Sequence, residues 1–137
     1  MERIPAVRDR ESCTRGGSSR RRVLIVDNSA DLARALVGLI DLEDDLESVG
    51  YVSTGAEALD LTQFNAADVI VLDLGLADCS GFTVLDRLRR EQPKVKVIIY
   101  TGHASADLDN EAKSRGAVGC VLKGDDLGRL LAAIRSA

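Results

Sequence analysis

Aromatic residues are scarce in this sequence, so its core must be built from aliphatic side chains. Tryptophan is absent, and aromatic residues make up 3% of the 137 residues, whereas hydrophobic residues make up 45%. This length and composition predict one soluble domain with a core of Val, Leu, Ile and Ala. The scarcity of rings also argues against a flavin-binding protein, because few side chains are available to stack on a flavin.

Cysteine and histidine are few as well. Cys13, Cys79 and Cys120 are an odd number without metal-ligand spacing, so we expect free thiols in a reducing compartment, which favours the cytoplasm. A cysteine in a buried strand usually serves as a small hydrophobic residue, which makes a redox-sensing role the less favoured interpretation. His103 is the only histidine, and a lone loop histidine is more often an exposed polar residue than a phosphoryl donor.

Long hydrophobic runs are missing too, so the sequence predicts no membrane span. Residues 1–22 lack the apolar stretch of roughly 7 to 15 residues that a secretory signal needs. They combine charge with Gly and Ser and show no apolar periodicity, which predicts a disordered, basic N-terminal arm ahead of one folded domain at 23–137. Arg20, Arg21 and Arg22 are interpreted as part of a solvated tail in preference to a polyanion contact.

The folded part of the chain is acidic. Residues 23–137 contain eleven basic and nineteen acidic residues and so carry a net charge of −8, whereas residues 1–22 carry +4. Phosphate contacts need clustered Lys and Arg, so we expect no nucleic-acid surface on the folded domain.

Short apolar runs alternate with segments of helical period, a pattern typical of β/α units around a parallel sheet. The predicted strands are 23–26, 46–52, 69–72, 95–100 and 118–122, and the predicted helices are 29–40, 54–61, 82–90, 105–114 and 127–134. The second strand is weaker and contains Gly50, so we place it near an edge of the sheet. Five such units predict an α/β fold with three layers.

Polar residues follow four of the five predicted strands. Asp27 and Asn28 follow the first, Asp73 the third, Thr101 the fourth and Lys123 the fifth. Ligands of parallel sheets gather beyond the carboxyl ends of the strands, and a carboxylate beside apolar residues is costly unless it is paired. Two carboxylates, a hydroxyl and an ammonium at one rim predict a phosphoryl-transfer site, in which an aspartate attacks phosphorus and cations neutralise the phosphoryl oxygens.

Four segments resemble, in order and separation, the receiver domain of bacterial two-component response regulators. They are VLIVDN at 23–28, VIVLDLGL at 69–76, VIIYTG at 97–102 and GCVLKG at 119–124. The resemblance covers essentially all of residues 23–137. Further phrases, such as GFTVLDRLRREQP at 81–93, are most similar to the receivers that precede helix-turn-helix output domains.

The resemblance implies a flavodoxin-like sandwich with strand order 2-1-3-4-5, and phosphorylation of Asp73 by a sensor histidine kinase or phosphotransfer protein. Thr101 and Lys123 would contact the phosphoryl group. Mg²⁺ would be held by Asp27, Asn28, Asp73 and the backbone carbonyl of Gly75. Phosphorylation would pull Thr101 inward and alter the face of the fourth helix, fifth strand and fifth helix, where a downstream protein or a second copy binds.

Several positions depart from the family pattern. Asn28 stands where a second acidic residue is usual, so we expect weaker Mg²⁺ binding. Cys120 replaces a frequent Tyr or Phe, which leaves backbone movement to carry the output. Ala77 and Gly124 replace frequent prolines, and we therefore expect the loop after Asp73 to be more mobile.

Three functional hypotheses follow. The favoured one is a stand-alone phosphorylatable receiver that acts as a switch between a kinase and a downstream protein, without enzymatic turnover. The alternative is a pseudo-receiver that binds partners independently of phosphate. An enzyme on the same scaffold has little support, since no acid stands two residues after Asp73 and no glycine-rich phosphate loop follows the first strand.

Overall fold

Five strands and five helices alternate in the computed structural model, which describes residues 20–62, 67–103 and 105–137. The elements are β1 Arg21–Val26, α1 Ala30–Asp41, β2 Leu46–Val52, α2 Gly55–Thr62, β3 Val69–Leu72, α3 Gly81–Glu91, β4 Lys96–Thr101, α4 Ala106–Ser114, β5 Gly119–Leu122 and α5 Leu127–Ser136. Every bound lies within two residues of its prediction.

The five strands form one parallel sheet in the order β2-β1-β3-β4-β5. The predicted fold class and strand order are confirmed, and so is the edge position of β2. The winding of the sheet reverses between β1 and β3, so the carboxyl ends of these two strands flank the place where ligands of such sheets bind.

The core has two halves, one on each face of the sheet. Alternate β1 residues supply both: Leu24 and Val26 pack on one side, and Val23 and Ile25 on the other. Helices α2, α3 and α4 cover the first side, while α1 and α5 cover the second. Burial of each large aliphatic side chain contributes about 1.5–3 kcal/mol, which makes this layering the main source of stability.

Polar side chains fix the starts of the helices, and one of them lies beside the predicted site. The Ser29 hydroxyl accepts a hydrogen bond from the backbone N–H of Leu32, so α1 begins close behind Asp27. Ser80 caps α3 in the same way by accepting from the N–H of Phe82. The cap at Ser29 thus places a helix start directly next to the end of β1.

Strand β1 begins at Arg21, inside the segment predicted as an arm. The Arg21 guanidinium donates a hydrogen bond to the Ala137 carbonyl, and the backbone N–H of Arg22 donates to the Asp68 carboxylate at 2.9 Å. These two arginines are therefore part of the first strand, which starts two residues before its predicted position. The rest of the predicted arm up to residue 19, including Cys13, lies outside the described residues.

None of the helices in the described ranges combines the length and the apolar character needed to cross a membrane.

Candidate functional site

Two aspartates stand at the carboxyl ends of neighbouring strands. Asp27 follows β1, is 2% exposed, and donates its backbone N–H to the Val52 carbonyl. Asp73 follows β3, is half-buried, and donates its backbone N–H to the Val26 carbonyl at 2.9 Å. The ladders of the parallel sheet thus continue by one residue past β1 and β3 and fix both acids at one rim.

Lys123 bridges these two acids. Its Nζ atom lies 2.8 Å from Oδ2 of Asp27 and 3.4 Å from Oδ1 of Asp73. Burial lowers the pKa of Lys123, but the hydrogen bonds and charges of Asp27 and Asp73 outweigh that effect, so the pKa is raised overall. The ammonium therefore stays charged at neutral pH and is the counterion that the rim carboxylates need.

Backbone amides complete the surroundings of the carboxylates. The N–H of Ser29 donates to Oδ1 of Asp27 at 2.8 Å. The N–H groups of Asn28 and Gly75 donate to the Asp73 carboxylate at 3.4 and 3.2 Å. The Asn28 residue itself is exposed at the rim. These donors orient the carboxylates without adding charge.

Thr101 reaches the site through its backbone. It ends β4, is 7% exposed, and its carbonyl accepts the Lys123 backbone N–H at 2.7 Å. Its hydroxyl oxygen accepts the N–H of His103 at 3.3 Å. The structure thus places Thr101 beside Lys123 and engages its hydroxyl with the following loop. His103 is exposed, as the sequence predicts.

The oxygen donors at the rim match the ligands that Mg²⁺ prefers. The structure places the carboxylates of Asp27 and Asp73 there, and the resemblance implies the amide of Asn28 and the backbone carbonyl of Gly75 as further oxygen ligands. Only two of them carry charge, and the described ranges contain no group of three or more His, Cys, Asp or Glu side chains placed to hold a metal. The residues therefore match Mg²⁺ in the type of their donor atoms. Because residue 28 is Asn, the site has one negative charge fewer than a site with three acids.

The two cysteines within the described residues are free thiols. Burial, followed by the charge of Asp109, raises the pKa of Cys120 to about 11. Burial and the charge of Asp78 raise the pKa of Cys79 as well. Both thiols are protonated at neutral pH, which agrees with their interpretation as small hydrophobic residues.

Gly124 explains one departure from the family pattern. Its φ is 88°, in the left-handed region, and a Cβ atom at this position would meet no other heavy atom within 4 Å. Proline holds φ near −65° and cannot adopt this turn. The turn after Lys123 therefore favours glycine because of its positive φ, since the surrounding space would accommodate a side chain.

Sequence reasoning missed two contacts near the site. The bond between Thr101 and His103 depends on how the loop after β4 folds back. The carboxylate of Asp78, in the loop after Asp73, accepts hydrogen bonds from Gly55 and Ala56 at the start of α2. No local sequence pattern indicates the bonds of Asp78, because its partners lie 23 and 22 positions away in the chain.

The chain resembles known proteins over its whole folded part. The nitrate/nitrite response regulator protein NarP of Escherichia coli strain K12 is 37% identical over 116 residues, which cover 84% of this chain and 54% of NarP. The chain spans about half the length of the curated relatives it matches.

Two solved structures share the fold. The signal receiver domain of a putative Luxo repressor protein from Vibrio parahaemolyticus has a TM-score of 0.77 and 31% identity, and the match covers 85% of this chain and 88% of that one. A DNA-binding response regulator of the LuxR family from Staphylococcus aureus has a TM-score of 0.77 and 26% identity, with 85% and 97% covered.

Residues 23–135 match the response regulator receiver domain family. The resemblance drawn from the four sequence segments is confirmed, and the relatives include regulators of the transcriptional type that it indicated. This chain belongs to the response regulator receiver domain family of two-component signalling.

Proposed function

We propose that this receiver domain accepts a phosphoryl group on Asp73 from a sensor histidine kinase or phosphotransfer protein. The observation that carries the proposal is the Lys123 ammonium, held 2.8 Å from Asp27 and 3.4 Å from Asp73 at the strand ends. A carboxylate that faces a fixed cation can take on a charged group, because the cation stabilises the negative charge that the group brings.

The transfer is a displacement at phosphorus. An oxygen of Asp73 attacks, an O–P bond forms, and the N–P bond of the phosphohistidine breaks with its electron pair returning to the imidazole. Lys123 contacts the incoming phosphoryl oxygens while Asp27 keeps it at the rim. Mg²⁺, held by Asp27, Asn28, Asp73 and the Gly75 carbonyl, would supply positive charge against those oxygens when bound.

Thr101 is the proposed link between phosphorylation and output. Its hydroxyl would leave the His103 amide and turn to the phosphoryl group. Because its carbonyl holds the Lys123 N–H at 2.7 Å, this movement is passed to the end of β5. The face formed by α4, β5 and α5 would then change its affinity for a downstream protein or a second copy.

Compartment and partner class follow from the same features. Free thiols at Cys79 and Cys120 favour the cytoplasm. The net charge of −8 on residues 23–137 favours a protein partner over nucleic acid for the folded domain. We propose a signalling switch without enzymatic turnover.

Incubation with acetyl phosphate and Mg²⁺ tests the proposal. Wild type is expected to gain the mass of one phosphoryl group, and Asp73→Asn should gain none, because the amide is a poor nucleophile. Asp31→Asn, a change at an exposed aspartate of α1, is the matched control and should behave like wild type. An adduct that persists in Asp73→Asn would contradict the assignment of Asp73.

A pseudo-receiver is the second candidate, and Asn28 favours it. Lys123 already pairs with both rim carboxylates, so half of their negative charge is compensated without a metal, and Asn28 leaves one acid fewer to hold one. In that case the partner-binding face would act without phosphate. Partner binding that is unchanged by Asp73→Asn, together with no mass adduct on wild type, would select this function.

A further inference from the structure

The loop between β3 and α3 is fastened to the rest of the molecule at two levels. At its stem, Gly75 and Ser80 form an isolated antiparallel bridge, and the N–H of Gly81 donates to the Leu74 carbonyl at 2.9 Å. At its tip, Asp78 reaches away from the loop to a different helix. The sequence of this loop, 74–80, contains no proline, so contacts such as these must fix its backbone.

The Asp78 carboxylate binds the start of α2. Its Oδ1 atom accepts the N–H of Gly55 at 2.8 Å, and its Oδ2 atom accepts the N–H of Ala56 at 3.1 Å. The first N–H groups of a helix lack acceptors within the helix, and a negative charge is favourable at this end. The two backbone hydrogen bonds lower the pKa of Asp78, so the carboxylate is charged at neutral pH.

A close steric fit accompanies these hydrogen bonds. A Cβ atom on Gly55 would lie 2.6 Å from the Sγ atom of Cys79 and 2.8 Å from a methyl carbon of Val84. Only glycine lets α2 approach the loop tip this closely. Hydrogen bonds and close packing therefore both hold the tip of the β3–α3 loop against α2.

The same loop carries groups that face the phosphoryl acceptor. The N–H of Gly75 donates to Oδ1 of Asp73 at 3.2 Å, and the Gly75 carbonyl is a proposed Mg²⁺ ligand. We propose that Asp78 is a positioning residue for phosphoryl transfer, which anchors the loop tip on α2 and so holds Gly75 in place beside Asp73. This inference rests on the proposed function and assigns Asp78 to the same site.

The test compares three variants by the initial rate of phosphorylation with acetyl phosphate and Mg²⁺, and by amide hydrogen exchange at Gly75. Asp78→Ala should slow the reaction about fivefold to tenfold, as expected when a reacting group is displaced slightly, and should speed exchange at Gly75. Asp78→Asn keeps a carbonyl acceptor and should recover part of the rate.

Thr54→Ala is the matched control. The Thr54 hydroxyl accepts the N–H of Glu57 at 3.2 Å at the same end of α2, so this change weakens the helix start and leaves the loop anchor in place. It should keep the wild-type rate and the wild-type exchange at Gly75.

Equal slowing by Asp78→Ala and Thr54→Ala would overturn the inference, because the effect would then come from α2 in general. A wild-type rate in Asp78→Ala would overturn it as well. If wild type accepts no phosphoryl group, the proposed function fails and exchange at Gly75 decides the inference: faster exchange in Asp78→Ala alone supports the anchor, and unchanged exchange contradicts it.

Discussion

The balance of charge at the rim depends on three residues. Asp27 and Asp73 carry one negative charge each, and Lys123 supplies the one ammonium that contacts both. The raised pKa of Lys123 means that the stabilisation due to its proton is fully present below the unfolded-state value of about 10.4 and is lost as pH rises through the higher folded-state value. Across the physiological pH range Lys123 therefore stays charged and remains paired with Asp27 and Asp73.

We propose that Asn28 limits how strongly Mg²⁺ binds at the rim. We predict that Asn28→Asp raises Mg²⁺ affinity about tenfold, or roughly 1.4 kcal/mol, because it adds a charged oxygen ligand. Isothermal titration with Mg²⁺ measures the gain. Without the metal, the third acid should lower the free energy of unfolding, because it adds repulsion beside Asp27 and Asp73.

The control for this titration is Asp31→Asn, which changes an exposed acid of α1 that pairs with Arg34 and not with the rim groups. It should leave Mg²⁺ affinity unchanged. An affinity that is equal in wild type and Asn28→Asp would show that residue 28 is not a ligand. Tight binding in Asn28→Asp together with none in wild type would favour the pseudo-receiver.

The residues of the candidate site could be predicted because each lies at the carboxyl end of a strand. Asp27, Asp73, Thr101 and Lys123 are polar groups at the ends of apolar runs, and parallel sheets bring such ends together. The contacts of Asp78 could not be predicted, because its partners at 55 and 56 are neighbours only after α2 and the loop have packed. The expectation that the loop after Asp73 is more mobile, because it lacks a proline, did not take into account the hydrogen bonds from α2 to Asp78.

Helix α4 differs from its neighbours in how it is attached. Ala112 is the one buried residue within this fully described helix, whereas α3 buries Val84, Leu85 and Leu88. Polar contacts compensate: Oδ1 of Asp109 accepts the N–H of Cys120 at 2.8 Å. An element with so few buried apolar residues can move at low cost, which suits the proposed output face.

The contact between Asp109 and β5 links α4 to the strand in which Cys120 replaces the usual aromatic residue. We predict that Asp109→Ala speeds hydrogen exchange at the Cys120 amide about tenfold or more, because that N–H loses its acceptor. Hydrogen exchange followed by NMR measures this. Asp107→Ala, a change at an exposed acid in the first turn of α4, should leave that amide protected.

The same contact has a predictable pH dependence. The Cys120 N–H, followed by Lys113, lowers the pKa of Asp109. A lowered folded-state pKa gives a stabilisation that is present above the unfolded value of about 3.9 and is lost as pH falls through the folded value. The difference in stability between wild type and Asp109→Ala should therefore shrink in that acidic range; a constant difference would argue against the carboxylate contact.

The apolar periodicity of the sequence was sufficient to predict every helix and strand, including α4, whose apolar stripe is weak. Caps such as Ser29 and Ser80 and the turn of Gly124 follow from residue types with known local preferences. The start of β1 at Arg21 was not predictable from apolar runs, because its first two residues are arginines held by Ala137 and Asp68.

At the scale of the whole molecule, the order of the strands explains why the candidate site residues lie at one rim of the sheet. β1 and β3 lie side by side at the point where the winding reverses, and β4 and β5 extend the sheet on the same side as β3. Residues from four chain segments therefore meet at one edge, and helices on both faces hold that edge in place. We expect a change of charge at Asp73 to shift the position of Lys123 and, through β5, that of α4.

One measurement tests this account most directly: amide chemical shifts on addition of beryllofluoride and Mg²⁺, a mimic of the phosphorylated acid. We predict shifts at Thr101 and Lys123 that continue to Cys120 and α4, and none of these in Asp73→Asn. Wild-type spectra that do not change, or the same changes in Asp73→Asn, would contradict the claim that Asp73 accepts the phosphoryl group and drives the switch.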